Sequence, residues 1–268
     1  MNRSIIFPVA CSFALAALAL AGCKKDEAVP AKTGQFTLHM DNGVTVAGAS
    51  GTTFSPLVLG TGAYTNANGD DFTVSTFKYY VSNVTLLKAD NSTYTVPKTY
   101  FLVDHDKPAT QDLTMTDVPA GEYTAVRFVL GVDSARTKAG NYTEEVLNAS
   151  KGMYWDMNGP EFINLKLEGY SSKSRSGGLI FHIAGYKHST TNTIRTVTIP
   201  FATAKANLVV SPDHSPEVHM WVDITKLFTG PNLIRFAETS NIMGGIPAAK
   251  IADNAQAGLF TAAHIHAN

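Results

Sequence analysis

The sequence predicts an all-β fold, an antiparallel β-sandwich carrying one short C-terminal helix. Three observations carry that prediction. Segments of four to eight residues rich in β-branched and aromatic side chains recur from Gln35 onward with period-two alternation. Turn-forming clusters such as "NANGDD", "KADNS", "SSKSRSGG" and "KHSTTN" separate them. Helical spacing is confined to the end of the chain, where Ile251, Ala255, Leu259 and Phe260 follow Pro247.

Taken in order, the chain opens with "MNRSIIFPVACSFALAALALAGC", a basic start, an apolar run and then Leu20-Ala21-Gly22-Cys23. This reads as a secretory signal over residues 1–22 ending in a lipobox, with Cys23 as the lipidated residue. The apolar run is shorter than the roughly 20 residues a membrane span requires. Cys11 lies in the removed segment, so no internal disulfide is available and stability must come from a core. Residues 23–34, "CKKDEAVPAKTG", form a charged and then Ala/Pro-rich tether without apolar periodicity. The reading is therefore an outer-membrane lipoprotein, held by its lipid and facing either the periplasm or the cell exterior.

Residues 35–268 read as one domain. "FTLHM" sets Phe36, Leu38 and Met40 on one face and His39 on the other. "FTVSTFKYYVSNVTLL", "TYFLVD", "YTAVRFVLGV", "INLKLEGY", "GLIFHIAGY", "RTVTIPF" and "EVHMWVDI" continue the strand pattern. "DVPAGEY" places Pro119 and Gly121 at a tight turn, and Asp133 can hydrogen-bond its own loop backbone. "DITKLFTG" reads as a short helical turn, and a C-terminal helical segment is expected from about residue 247. With 16% charged residues, net charge −1 and no Lys/Arg cluster, nucleic acid is not an expected partner.

No enzyme motif is found: there is no Gly-x-Ser-x-Gly, His-Glu-x-x-His, Cys-x-x-Cys-His, P-loop or dinucleotide fingerprint. Glu161, Glu168 and Glu217 are not paired by any sequence signal, so a non-enzymatic role is expected. The aromatic Trp155 stands out in "GMYWDMNGPEF", a turn-rich stretch where an exposed indole would leave much apolar area wet. Either that loop folds inward as a lid or the indole serves a site.

Several segments, "FTVSTFKYYVSNVTL" (72–86), "YFLVD" (100–104), "DVPAGEYTAVRFVLGVD" (117–133), "GMYW" (152–155), "KLEG" (166–169) and "FHIAG" (181–185), resemble MbnP-like proteins, the methanobactin-associated copper-binding family. The resemblance implies an extracytoplasmic β-sandwich that binds copper through histidines and a tryptophan oxidised to kynurenine by a partner dihaem, peroxidase-like enzyme. Carried onto this chain, it implies His39, His182 and Trp155 as metal ligands. Met157 stands where relatives often carry a second Trp or a His, which leaves that ligand set open.

The remaining histidines offer further candidates. His219 and Trp221 lie two residues apart on one strand face, and His264-x-His266 would share a face in an extended tail. His105, His188 and His214 sit in polar segments and read as solvated. The competing reading is a sandwich without metal, whose aromatics Tyr79, Tyr80, Tyr154 and Trp155 bind a glycan or a protein.

Overall fold

The computed structural model describes Met1 and residues 32–267, apart from 49–50, 141, 144, 157–158 and 188–189. Apart from Met1, the signal segment, Cys23 and all but the end of the tether therefore lie outside the described residues, as do Met157 and His188. The first strand, Thr33–Gly48, begins inside the span read as tether, because Thr33 and Gly34 pair with Pro119 and Val118.

Two sheets face one another across a shared apolar core. The smaller runs Phe260–His266, Glu217–Asp223, Thr33–Gly48, Gly51–Pro56, with Asp112–Pro119 pairing the opening half of the long first strand. The larger runs Arg195–Pro200, Ala125–Leu130, Asp71–Leu87, Glu161–Tyr170, Gly178–Ala184, Asn241–Met243, with shorter strands along its flanks. The all-β sandwich expected from the sequence is thus observed. Its sheets are not purely antiparallel: Thr33–Gly48 runs parallel to Glu217–Asp223, and Gly178–Ala184 runs parallel to Asn241–Met243. Parallel neighbours need a long crossover, and here most of the chain separates the first such pair.

Alternation decides what each strand buries. Phe36, Leu38 and Met40 from the small sheet meet Phe77, Tyr79, Leu167 and Phe181 from the large one in a single cluster. Phe72, Phe181, Phe228 and Phe236 pack there with edge-on or tilted rings, the arrangement favoured by the ring quadrupole. Each fully buried side chain of this size contributes about 1.5–3 kcal/mol by leaving water, which suits a domain without disulfides.

At the end of the "FVLGVD" segment, Gly131 takes φ 114°, and a Cβ there would lie 2.5 Å from Asn164 Oδ1. Only glycine accepts both conditions. Asp133 then caps the short helix Ser134–Ala139, accepting from the backbone N–H groups of Ala135 and Arg136.

The C-terminal helix spans Gly245–Gly258 and lays Ala248, Ile251, Ala252 and Ala255 on the core. Pro247 is tolerated because it sits in the first turn, where backbone N–H groups lack helical partners. Asn254, fully buried, donates to the carbonyls of Leu227 and Asn232 and accepts from Asn232 N–H, tying the helix to the loop after the Ile224–Leu227 turn. Phe260, which helical spacing grouped with Ile251, instead opens the strand Phe260–His266.

The loop carrying Trp155 folds inward. A two-residue strand, Tyr154–Trp155, pairs with Phe162 and Glu161, and the indole is 5% exposed among Tyr80, Leu102, Met153 and Phe162. Tyr79 and Tyr80 are also fully buried, so the exposed aromatic platform of the glycan-binding reading is not formed by these residues. Core packing consumes them.

Candidate metal centre

The outward face of the small sheet gathers histidines in register. On the first strand, burial of Phe36, Leu38 and Met40 turns Thr37, His39 and Asp41 outward. The parallel partner strand buries Val218, Met220 and Val222, which turns Glu217, His219 and Trp221 the same way. Pairing sets His39 level with His219 and Asp41 level with Trp221. On the other flank of the first strand, Asp112 stands opposite His39.

The third strand joins this row through an irregularity. Phe260 and Ala262 face the core, so strict alternation would also send His264 and His266 inward. A register shift lies between the pairs Met220–Ala262 and His219–His264, with Ala263 as the additional residue. This β-bulge reverses the phase, and both histidines emerge on the outer face, exposed, with Ile265 packed toward the core. His39, His219 and His264 thus form one row across three strands.

Two overlapping groups in this row can hold a metal ion: His39, Asp41 and His219, and His219, His264 and His266, with donor atoms in each group within 4.8 Å of one another. In the first, the Asp41 carboxylate lies between two rings, 3.3 Å from His39 Nε2 and 2.8 Å from His219 Nδ1. The far edge of each ring is held by another carboxylate: His39 Nδ1 is 2.5 Å from Asp112, and His219 Nε2 is 2.9 Å from Glu217. A carboxylate on one ring nitrogen fixes the orientation of the other, which is how metal-binding imidazoles are commonly held. In the second group, His264 lies flat on His219 with ring centroids 4.3 Å apart, and His266 stands across both. His264 is held below the ordinary imidazole range by loss of solvent and by the neighbouring His219 and His266.

A cleft of about 340 Å³ adjoins the row, lined by Asp41, His219, His264, Trp221, Phe54 and His105 among others. Trp221 is 43% exposed and stacks on Phe54 with centroids 4.8 Å apart. Gly43 makes room for that stack, since a Cβ there would meet the Phe54 ring at 2.5 Å. Asn42 also lines the cleft, and buried Tyr79 stands behind it, its hydroxyl donating to Asn42 Oδ1, while Asn42 Nδ2 donates to His105 Nδ1. His105 Nε2 in turn donates to the Leu57 carbonyl. Both His105 nitrogens are thereby taken, and the residue is half-buried rather than solvated as its loop position had implied. His214 is exposed.

Comparison with known proteins gives the family of the chain. The MbnP family model matches residues 33–244. The chain belongs to the MbnP family. Among solved structures, MbnP from Methylosinus trichosporium is similar in fold, with TM-score 0.51 and 13% identity over 88% of this chain and 99% of that one. A search of curated proteins gives no significant match. Within this MbnP-family chain, the matched segment contains His39, Asp41, Asp112, His219 and Trp221, whereas His264 and His266 lie beyond it.

Of the three ligands that the resemblance implied, His39, His182 and Trp155, only His39 is in this row. His182 lies on Gly178–Ala184 in the large sheet, facing away from Phe181 and Ile183, which enter the core. Its Nε2 donates to Glu168 Oε1 at 2.7 Å. That hydrogen bond and the charge of Lys166 outweigh the effect of burial and hold the Glu168 carboxyl below the usual carboxylate range. His39 and His182 point outward from opposite layers of a sandwich whose sheets pack roughly 10 Å apart. Buried Trp155 belongs to a separate apolar cluster. One ion cannot join these three. Glu161, for its part, is buried and accepts from the backbone N–H groups of Tyr186 and Lys187.

The residues that complete the row, His219, His264 and His266, carried a legible period-two signal. What the sequence did not show was the strand pairing that stacks them, nor the bulge that turns the last two outward.

Proposed function

We propose that this MbnP-family protein is an extracytoplasmic, lipid-anchored copper-binding protein whose ion is held by His39, Asp41 and His219. The observation that supports this reading is the double carboxylate–histidine arrangement, in which Asp112 and Glu217 orient two imidazoles toward one shared carboxylate. The donor set also fits copper. Two imidazoles and a carboxylate suit a divalent ion of intermediate hardness, and among such ions copper(II) binds nitrogen and oxygen donors most tightly. Met40 and Met220 are buried on the core side, so no thioether faces the row from these strands.

The kynurenine implied by family resemblance is assigned to Trp221 rather than Trp155. Trp221 lines the same cleft as His219 and is open to an external oxidant, such as a dihaem peroxidase-like partner; Trp155 is enclosed. No enzymatic activity is proposed for the chain itself.

Copper titration of purified protein, followed by calorimetry, tests the binding. Protons compete with the metal for imidazole nitrogen, so affinity should fall on acidification, by up to about tenfold per pH unit for each imidazole that must lose a proton. Affinity that is flat between about pH 7.5 and about pH 5.5 would exclude histidine ligands.

The anchor is proposed from the lipobox. Among the described residues no helix is long and apolar enough to cross a membrane. Cys23→Ala should move the protein from the membrane pellet to the soluble fraction with its thermal unfolding unchanged, since the first described strand opens only at Thr33. Retention of the variant in the pellet would count against lipidation.

A further inference from the structure

From the geometry of the outer histidines we infer that the row holds two metal ions, an inner one at His39, Asp41 and His219 and an outer one at His264 and His266, with His219 shared between them. The inference rests on the copper-binding reading and extends it in number of ions and in residues used.

Three observations carry it. His264 Nε2 and His266 Nε2 converge to 3.1 Å on rings that stand perpendicular to each other. Two nitrogens bound roughly 2 Å from one ion in tetrahedral geometry lie roughly 3.3 Å apart, so the pair already has a chelating separation. Next, His219 presents its two ring edges to different places. Nδ1 faces Asp41 and the inner position, while Nε2 faces Glu217, whose cross-strand partner is His266. One ring can serve both positions as an imidazolate, its remaining N–H proton passing to solvent and the Glu217 hydrogen bond to Nε2 being given up when the outer ion binds, and His219 is the member common to both donor groups. Finally, the pair is displayed by a bulge. Without the extra residue His264 and His266 would enter the core, so the irregularity at Ala263 has the effect of adding two nitrogen donors to the outer face.

The two positions differ in access. His264 and His266 are exposed, whereas His39, Asp41 and His219 are half-buried. An incoming copper ion meets the outer pair first, and His219 offers it a ligand common to both positions along the way inward. The outer pair also lies beyond residues 33–244, the segment matched by the family model. This chain thus carries its second position on the strand that follows the matched segment.

An N–H···N hydrogen bond between the two rings would give the same 3.1 Å, so stoichiometry decides. Purified protein is titrated with copper(II) under calorimetry and by electron paramagnetic resonance. The expected result is two equivalents bound by the wild type, with the signal of the fully loaded form weakened by coupling between neighbouring copper(II) ions. The double variant His264→Ala/His266→Ala should bind one equivalent with the full uncoupled signal, and His39→Ala should also bind one. Circular dichroism confirms that each variant is folded. One equivalent in the wild type overturns the second position and leaves the copper-binding function standing. No binding overturns both. Two equivalents retained by the double variant would show that the second ion lies elsewhere, and would overturn the assignment to His264 and His266.

Discussion

His219→Ala is expected to remove high-affinity copper binding while leaving the fold intact. The imidazole stands between Asp41 and Glu217 and is the residue shared by both donor groups. Removing an outer carboxylate from a metal-bound histidine costs about 10–100-fold in affinity. Loss of His219 removes a ligand outright, so the loss should exceed that range, while Asp112→Asn, which only loosens His39, should fall within it. His182→Ala is the internal control. Its imidazole faces out from the other sheet against Glu168, and copper affinity should be unchanged. Calorimetric titration of the three variants gives the order. Wild-type affinity in His219→Ala, or a loss in His182→Ala larger than that in Asp112→Asn, would remove the small sheet's outer face from consideration as the metal centre.

The outward faces of these histidines were legible in the sequence, and their neighbours were not. Alternation around His39, His182 and His219 correctly places all three on outward faces, because burial of Phe36–Met40, Phe181–Ile183 and Val218–Val222 leaves no other choice. Period-two spacing says which face of a strand a residue occupies. It says nothing about which strands are neighbours. Thr33–Gly48 and Glu217–Asp223 lie far apart in sequence yet pair in parallel, and that pairing alone brings His39 level with His219. His264 and His266 pose a further difficulty, since their strand follows a helix directly and its phase is reset by one bulge residue, Ala263. His105 shows a related limit: a histidine in a polar turn was consumed by Asn42 and Leu57 because the turn folds over the cleft floor.

Strand pairing separates the two tryptophans, which the sequence alone could not do. Trp155 lies three residues after Gly152 and just before a turn, a context suggestive of exposure, but pairing of Tyr154–Trp155 with Glu161–Phe162 turns its indole into a buried cluster. Trp221, in an ordinary alternating strand, is the exposed one. Trp155→Ala should therefore leave a large cavity and cost about 3–5 kcal/mol, lowering the thermal midpoint by roughly 10 °C in a domain of this size. Its copper affinity below the midpoint should match the wild type. Trp221→Ala should do the reverse. It loses mainly the stack on Phe54, for which aromatic pairs contribute about 0.5–1.5 kcal/mol, and it strips the cleft wall beside His219 and His264. In protein isolated from its native host, peptide mass analysis should find any indole-to-kynurenine conversion at Trp221 and none at Trp155. Chemical or thermal unfolding paired with copper titration reads both variants in one experiment. A Trp155→Ala protein of unchanged stability that fails to bind copper would mean that this loop opens in solution and that the indole reaches a metal after all.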